Sequence, residues 1–127
     1  MELKHYIGAT KCLDIIVSEN DTAIHYGSGS IEVFASPAMI SLMENTAMNL
    51  VQKYLPNNFT TVGTEVSVEH LRATAVGRKV NCMSKLIDVD GRKLVFQVEA
   101  KDDKGLIGKG THTRFVIDIN KFMSRVK

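Results

Sequence analysis

The sequence has only two cysteines and no apolar run long enough to suggest a membrane protein. Cys12 and Cys82 form no CxxC pair and have no histidine at ligand spacing, which disfavours a zinc site and is typical of thiols in a reducing compartment. No stretch approaches the roughly 18 apolar residues of a membrane span. Residues 1–6 also lack the apolar run of a secretory signal. We therefore expect a cytoplasmic protein that does not bind membranes.

An excess of charge of either sign is also missing. The 16 basic and 14 acidic residues give a net charge of +2, and basic residues are adjacent only at Arg78-Lys79 and Arg92-Lys93. Nothing in this charge distribution favours nucleic acid as a partner. The 127 residues are 44% hydrophobic and contain no repeat, low-complexity tract or linker. We predict one domain with one core, spanning residues 1–127.

The two prolines, Pro37 and Pro56, bracket the one long helical pattern. Ser36 followed by Pro37 is typical of an N-cap residue and a first helical position, so the helix should run from about Pro37 to Tyr54. Its residues are apolar on most sides, which predicts a buried helix.

The rest of the sequence mostly predicts β-strands. The candidate strands are 12–17, 22–26, 61–71, 79–89, 93–101 and 106–118, with a hairpin signal at Asp90-Gly91 and a short terminal helix at 120–126. One buried helix and a long antiparallel meander favour an α+β fold with the sheet wrapped around the helix. A small sheet leaves edges uncovered, so we expect a homodimer.

The strand at 61–71 alternates and contains a glycine. Alternation predicts one face with Val62, Thr64, Val66, Val68 and His70, and puts Gly63 on the other face. A glycine inside a strand marks a bulge or a close approach by a ligand.

Glu44 is the only charged residue of segment 36–51 and lies among apolar or small helical neighbours. Burying a bare charge costs several kcal/mol, so this carboxyl must be paired, hydrogen-bonded or protonated. One interpretation is a structural acid paired with Arg72 or Arg114. The other is a functional group.

Ser36 and His70 are the other polar candidates. Ser36 lies eight residues before Glu44, about 12 Å along a helix axis. Ser36 and His70 each have an ordinary interpretation: Ser36 as a helix cap, and His70 as a strand-end residue that reaches water. If the helix packs against strand 61–71, or meets it across a dimer, the three side chains converge. His112 is interpreted as structural.

Three blocks, VFASPAMISLME at 33–44, VGTEVSVEH at 62–70 and IGKGTHTR at 107–114, resemble the fluoroacetyl-CoA thioesterase-like branch of the hotdog-fold thioesterases. The resemblance implies a hotdog fold, an antiparallel sheet around one long central helix. It also implies an acyl-CoA thioesterase, a hydrolase whose substrate is a small-molecule CoA thioester and which needs no cofactor and no metal. Such folds form dimers and also tetramers built from dimers.

By the same resemblance, the catalytic set falls on Ser36, Glu44 and His70, and the acyl-CoA contacts fall on Gly63 and Arg114. The hydroxyl residue is threonine in the best-known member of that branch, and serine here should keep the hydrogen bond. The segment between His25 and Val33 is shorter than the aromatic lid of the fluoroacetate-specific enzyme. A general short-chain acyl-CoA is therefore the expected substrate.

The mechanism and two competing functions stay open at this point. Glu44 either attacks the thioester as a nucleophile or activates water, and His70 either protonates the leaving thiolate or activates water. Backbone N–H groups near Ser36 or Gly63 are candidates for stabilising the oxyanion. The alternatives are a non-catalytic acyl-CoA-binding module, which has no need for Glu44, and an acyl-thioester dehydratase, which takes its histidine and acid from other positions.

Overall fold

The computed structural model describes residues 2–127 as one antiparallel sheet with a long helix on one face. Two short 3₁₀ turns lie near the N-terminus. The strands and helices in chain order are β1 (Thr10–Ile16), α1 (Ala23–Tyr26), α2 (Ser36–Gln52), β2 (Phe59–His70), β3 (Lys79–Asp90), β4 (Lys93–Asp102), β5 (Gly105–Asp118) and α3 (Ile119–Val126).

The five strands lie in the order β1-β3-β4-β5-β2, and every neighbouring pair is antiparallel. Helix α2 contacts all five strands from one side of the sheet. This arrangement confirms the predicted α+β fold with a sheet around one central helix. Strands β1 and β2 are the two sheet edges. None of the helices in residues 2–127 is long and apolar enough to cross a membrane.

Helix α2 is buried as predicted, but its first turn differs from the prediction. The N-cap is Ala35, Ser36 is the first helical residue, and Pro37 is the second. The prediction that Ser36 caps the helix is therefore wrong, and its hydroxyl is free for a partner elsewhere. The helix ends at Gln52, two residues before the predicted end at Tyr54.

The segment predicted as a strand at 22–26 is instead the one-turn helix α1. The Thr22 hydroxyl accepts a hydrogen bond from the His25 backbone N–H at 3.2 Å, and Gly27 ends the turn with φ 71°. A threonine cap and a glycine in the left-handed region favour a helical turn. These two local signals outweigh the β-propensity of the few residues between them.

A β-bulge in β2 decides which side chains face α2. Gly63 pairs with Arg114 and Glu65 pairs with Thr113, so Thr64 is an extra residue in the ladder. An extra residue shifts the alternation of a strand by one position. Gly63 and His70 consequently lie on the same, helix-facing side, and the predicted placement of Gly63 opposite His70 is wrong. The bulge, one of the two interpretations of a glycine in this strand, is confirmed.

Gly110 allows β2 and β5 to lie close together on the helix-facing side. A Cβ at this position would overlap the Ser67 carbonyl oxygen and approach Val68 Cα, which are backbone atoms held by the ladder. We expect Gly110→Ala to lower the free energy of unfolding by about 2 kcal/mol or more, because the strands must separate to admit the methyl group. Urea unfolding of the two proteins measures this difference.

Thr111→Ala is the matched control, because Thr111 is the next residue of β5 and is exposed. It should change the free energy of unfolding by less than about 0.5 kcal/mol. Equal stabilities of the two variants would contradict the steric argument.

Candidate active site

Ser36 and His70 meet where α2 begins and β2 ends. Ser36 Oγ and His70 Nδ1 share a hydrogen bond of 2.7 Å. The His70 ring packs edge-on against Phe34, with 6.4 Å between ring centroids. Ser36 and His70 both line a cavity of about 310 Å³. The second ring nitrogen, Nε2, is buried and has no hydrogen-bond partner within residues 2–127.

The electrostatics of this pair favour a neutral imidazole. Burial lowers the pKa of His70 from its ordinary value of 6.5, because desolvation penalises the charged ring. A neutral histidine that is hydrogen-bonded to a hydroxyl can accept a proton from an attacking nucleophile and pass it on. The Ser36–His70 pair therefore has the chemistry of a general base with an orienting hydroxyl.

A second group of side chains, the Glu44 cluster, consists of Glu44, Thr61, Gly63 and Arg114. Arg114 is 7% exposed, and its guanidinium donates to Thr61 twice, from Nε to the hydroxyl at 2.7 Å and from Nη2 to the carbonyl at 2.9 Å. Thr61 is itself buried. These bonds fix the plane of the guanidinium against β2.

Gly63 is the residue that lets the acid and the cation approach the strand. A Cβ on Gly63 would lie 3.0 Å from Glu44 Oε2 and 3.4 Å from Arg114 Nη1. A methyl group at this position would require the Glu44 carboxylate to shift by a few tenths of an ångström. Glu44, Gly63 and Arg114 line a cavity of about 390 Å³.

Glu44 is half-buried and is not one half of a structural ion pair. Within the described chain, neither Arg72 nor Arg114 forms a salt bridge with it. Burial lowers the pKa of Arg114, and the negative charge of Glu44 opposes that effect. The interpretation of Glu44 as a paired structural acid is therefore wrong, and its carboxylate is available to a ligand in the cavity.

His112 belongs to the same neighbourhood, although its sequence context indicated a structural residue. It is 1% exposed, and its Nε2 lies 3.2 Å from Arg114 Nη1. The signal for this placement is the period of β5, which puts His112 and Arg114 on one face two residues apart. That face could not be assigned to the site before the strand pairing was known.

One chain brings the predicted site residues together in two sets rather than one. Ser36 contacts His70, and Glu44 lies beside Gly63 and Arg114, but the two cavities share no lining residue. Ser36 and Glu44 are separated by two turns of α2, about 12 Å along the axis. Residues 2–127 contain no cluster of three or more His, Cys, Asp or Glu side chains suited to a metal ion.

Half-buried His70 and buried His112 should make folding sensitive to mild acid. Burial lowers the pKa of both His70 and His112 below 6.5, so the unfolded chain binds more protons than the native protein in this range. Stability is complete above pH 6.5 and falls as the pH drops through the native pKa values. We expect urea unfolding to show this loss between pH 7 and pH 5.

The double variant His70→Asn/His112→Asn should have a flatter dependence on pH in the same range. Asp14 and Asp102 have pKa values lowered from 3.8, so their protonation affects stability only below that pH. They do not contribute to the change between pH 7 and pH 5. The same slope in both proteins would contradict the assignment to these histidines.

Comparisons with a family model and with a characterised relative point to the same protein family. Residues 17–120 match the family model described as fluoroacetyl-CoA-specific thioesterase. The fluoroacetyl-CoA thioesterase of Streptantibioticus cattleyicolor is 38% identical over 96 residues, which cover 76% of this chain and 69% of that protein. The chain belongs to the fluoroacetyl-CoA-specific thioesterase family. This membership confirms the expected branch of thioesterases and the expected class of enzyme, a thioester hydrolase.

Solved structures of this thioesterase family share the fold over nearly the whole chain. The fluoroacetyl-CoA thioesterase FlK superposes with a TM-score of 0.90 at 34% identity, covering 94% of this chain and 93% of that chain. A variant of FlK in complex with acetyl-CoA gives 0.90 at 35% identity, with 94% and 95% covered. A hot-dog-like protein from Thermanaerovibrio acidaminovorans, at 23% identity and TM-score 0.91 with 99% and 95% covered, supports the hotdog fold alone.

Proposed function

We propose that this protein hydrolyses short-chain acyl-CoA thioesters to a free acid and CoA. Ser36, Glu44 and His70 are the proposed catalytic set, and Gly63 and Arg114 are the proposed acyl-CoA contacts. The observation that carries the proposal is the half-buried Glu44 carboxylate, which has no ion pair within residues 2–127 and faces a cavity beside Gly63. The relatives support the substrate class, because FlK structures contain acetyl-CoA, or fluoroacetate together with CoA.

We further propose that each active site is completed by a second copy of the chain. Strand β2 is a sheet edge, and its free backbone groups can pair with another β2. In an antiparallel pair with its two-fold axis between Val66 and Ser67, Gly63 would lie opposite the partner subunit's His70. The Glu44 cluster of one subunit would then adjoin the partner's Ser36 and the partner's His70, in a homodimer.

In the proposed mechanism, the Glu44 cluster and the Ser36–His70 pair have different roles. In one route Glu44 attacks the thioester carbon and the C–S bond breaks to give an anhydride and CoA thiolate; neutral His70 then takes a proton from the water that hydrolyses the anhydride and passes it to the thiolate. In the other route Glu44 takes the proton from a water that attacks the thioester carbon, and this proton reaches the departing thiolate through His70. The start of α2 supplies backbone N–H groups without an intrahelical acceptor, since the first helical bond runs from Met39 N–H to the Ala35 carbonyl. These N–H groups are suited to the oxyanion.

A dehydratase and a binding module are less well supported. A module that only binds acyl-CoA would use Gly63 and Arg114 but would have no need for a half-buried carboxylate without an ion pair in the described chain. The experiment is to incubate the protein with acetyl-, propionyl-, butyryl- and fluoroacetyl-CoA and to follow free thiol. Thiol release supports hydrolysis. Binding without turnover supports a module, and enoyl absorbance without thiol supports a dehydratase.

The acyl preference should be broad among short chains. The segment between His25 and Val33 has one aromatic residue, Tyr26 at the end of α1, which lines a cavity with Ala38 and Ser41 rather than the cavity of Ser36 and His70. No aromatic side chain from this segment lines the cavity of Ser36 and His70. Acetyl-CoA and fluoroacetyl-CoA should have kcat/KM values within about tenfold of each other, because the two acyl groups differ only by one fluorine in place of a hydrogen, a change smaller than one methylene.

A further inference from the structure

The strongest feature outside the proposed catalytic set is the buried His112. Both of its ring nitrogens are engaged: Nδ1 lies 2.7 Å from the Glu65 carbonyl oxygen and Nε2 lies 3.2 Å from Arg114 Nη1. A carbonyl has no proton to give, and a guanidinium has no lone pair to offer. Nδ1 must therefore carry the hydrogen, and Nε2 must accept one from Arg114.

The surroundings of the ring support this neutral form. The groups that face it are Glu44 from α2, Glu65 from β2, Phe96 from β4 and Arg114 from β5. Burial is the largest effect and lowers the pKa of His112, and the Arg114 charge lowers it further. The Glu65 carbonyl and the Glu44 charge oppose these effects and are outweighed.

The bond from Arg114 to His112 completes the fixation of the guanidinium. Arginine has five N–H groups. Two are used by Thr61 and one by His112, which leaves one on Nη1 and one on Nη2 for a ligand. Without the His112 acceptor, Nη1 would have two free N–H groups and the guanidinium would be held by its two Thr61 bonds alone.

His112 also connects Arg114 to the β-bulge. Its Nδ1–H is bonded to Glu65, the residue that resumes the ladder after the bulge, and its Cε1 would lie 3.1 Å from a Cβ on Gly63. The ring therefore lies behind Gly63, in contact with both the strand irregularity and the cation. A displacement of the ring would move both proposed acyl-CoA contacts.

We propose that His112 is a positioning residue whose neutral Nε2 holds Arg114 in register with Gly63 and Glu44. This inference rests on the proposed function, since it concerns how that site binds its acyl-CoA. His112 itself touches no substrate in this proposal and acts only through Arg114.

Two substitutions distinguish the role of Nε2 as acceptor from the role of Nδ1–H as donor. His112→Gln places an amide oxygen near the Nε2 position and can keep the bond to Arg114. His112→Asn places an amide N–H near the Nδ1 position, keeps the bond to Glu65 and loses the acceptor. With acetyl-CoA and free-thiol detection, we expect His112→Asn to lower kcat/KM about tenfold and His112→Gln to retain most of it, because a displaced charged donor is the costly loss.

A double-mutant cycle with Arg114→Gln tests whether His112 acts through Arg114. Positioning predicts that His112→Asn has little further effect once Arg114 is replaced, whereas a general loss of packing would add to the Arg114→Gln effect. Thermal unfolding of each variant measures the structural part. Equal losses in His112→Gln and His112→Asn, or full additivity in the cycle, would overturn the inference while leaving thioester hydrolysis intact.

A direct readout does not depend on activity. Long-range ¹H–¹⁵N NMR spectra of the histidine rings should show His112 as the Nδ1–H tautomer at pH 7, with Nε2 unprotonated. An Nε2–H tautomer or a protonated ring would overturn the inference. If wild type releases no thiol from any acyl-CoA, the proposed function fails, and the His112 assignment is then decided by these spectra and by acetyl-CoA affinities of the same variants.

Discussion

Glu44→Gln should reduce thiol release from acetyl-CoA by about 10³-fold or more in kcat, because the amide can neither attack the thioester nor accept a proton from water. The substitution keeps the shape of the side chain. Within the described chain Glu44 forms no ion pair, so the loss of charge breaks no structural salt bridge. We expect the free energy of unfolding to change by less than about 1 kcal/mol. Steady-state kinetics and urea unfolding measure the two quantities.

Glu69→Gln is the matched control, since Glu69 is an exposed carboxylate on β2. It should leave kcat and KM near the wild-type values. Full turnover in Glu44→Gln would show that hydrolysis, if present, does not use this carboxylate. Equal losses in both variants would point to a general electrostatic effect rather than to chemistry at Glu44.

A heterodimer of two inactive variants should recover about half of the wild-type activity per dimer, because one of its two sites would be intact. One chain carries Glu44→Gln, the other carries His70→Asn, and different affinity tags allow the mixed dimer to be purified after coexpression. In the proposed arrangement, the native Glu44 of the second chain meets the native His70 of the first. The corresponding homodimers should be inactive.

The reciprocal heterodimer makes this result unambiguous. Wild type paired with the double variant Glu44→Gln/His70→Asn should be inactive, since each of its sites has one lesion. If each site lay within one chain, the two outcomes would be exchanged, with no activity in the first heterodimer and half in the second. A monomer in light scattering would contradict the completion of the site by a second copy.

The sequence was sufficient for most of the secondary structure, because long periodic segments dominate it. Helix α2 and strands β2 to β5 follow from apolar periodicity and from turn signals such as Asp90-Gly91. The failures are local. A threonine cap and a glycine form α1 from four residues too few for any period to be seen, and the Ser36 hydroxyl is bonded to His70 instead of capping its own helix.

The candidate site was partly predictable for a related reason. Glu44 is conspicuous because it is a lone charge in an apolar helix, whereas His112 is inconspicuous because its partners are a residue of β2 and a residue two positions further along its own strand. Such partners depend on pairing register. The division of the site residues between two cavities is likewise a property of three-dimensional packing, and no spacing along the chain reports it.

The extra residue in β2 determines which face of the sheet each site residue of this strand occupies. Gly63 and His70 are an odd number of positions apart, and a regular strand would turn them to opposite sides of the sheet. A strand of the same length without the bulge would turn one of the two away from α2. Engineers who graft this site onto another sheet must therefore transfer the irregularity together with the side chains.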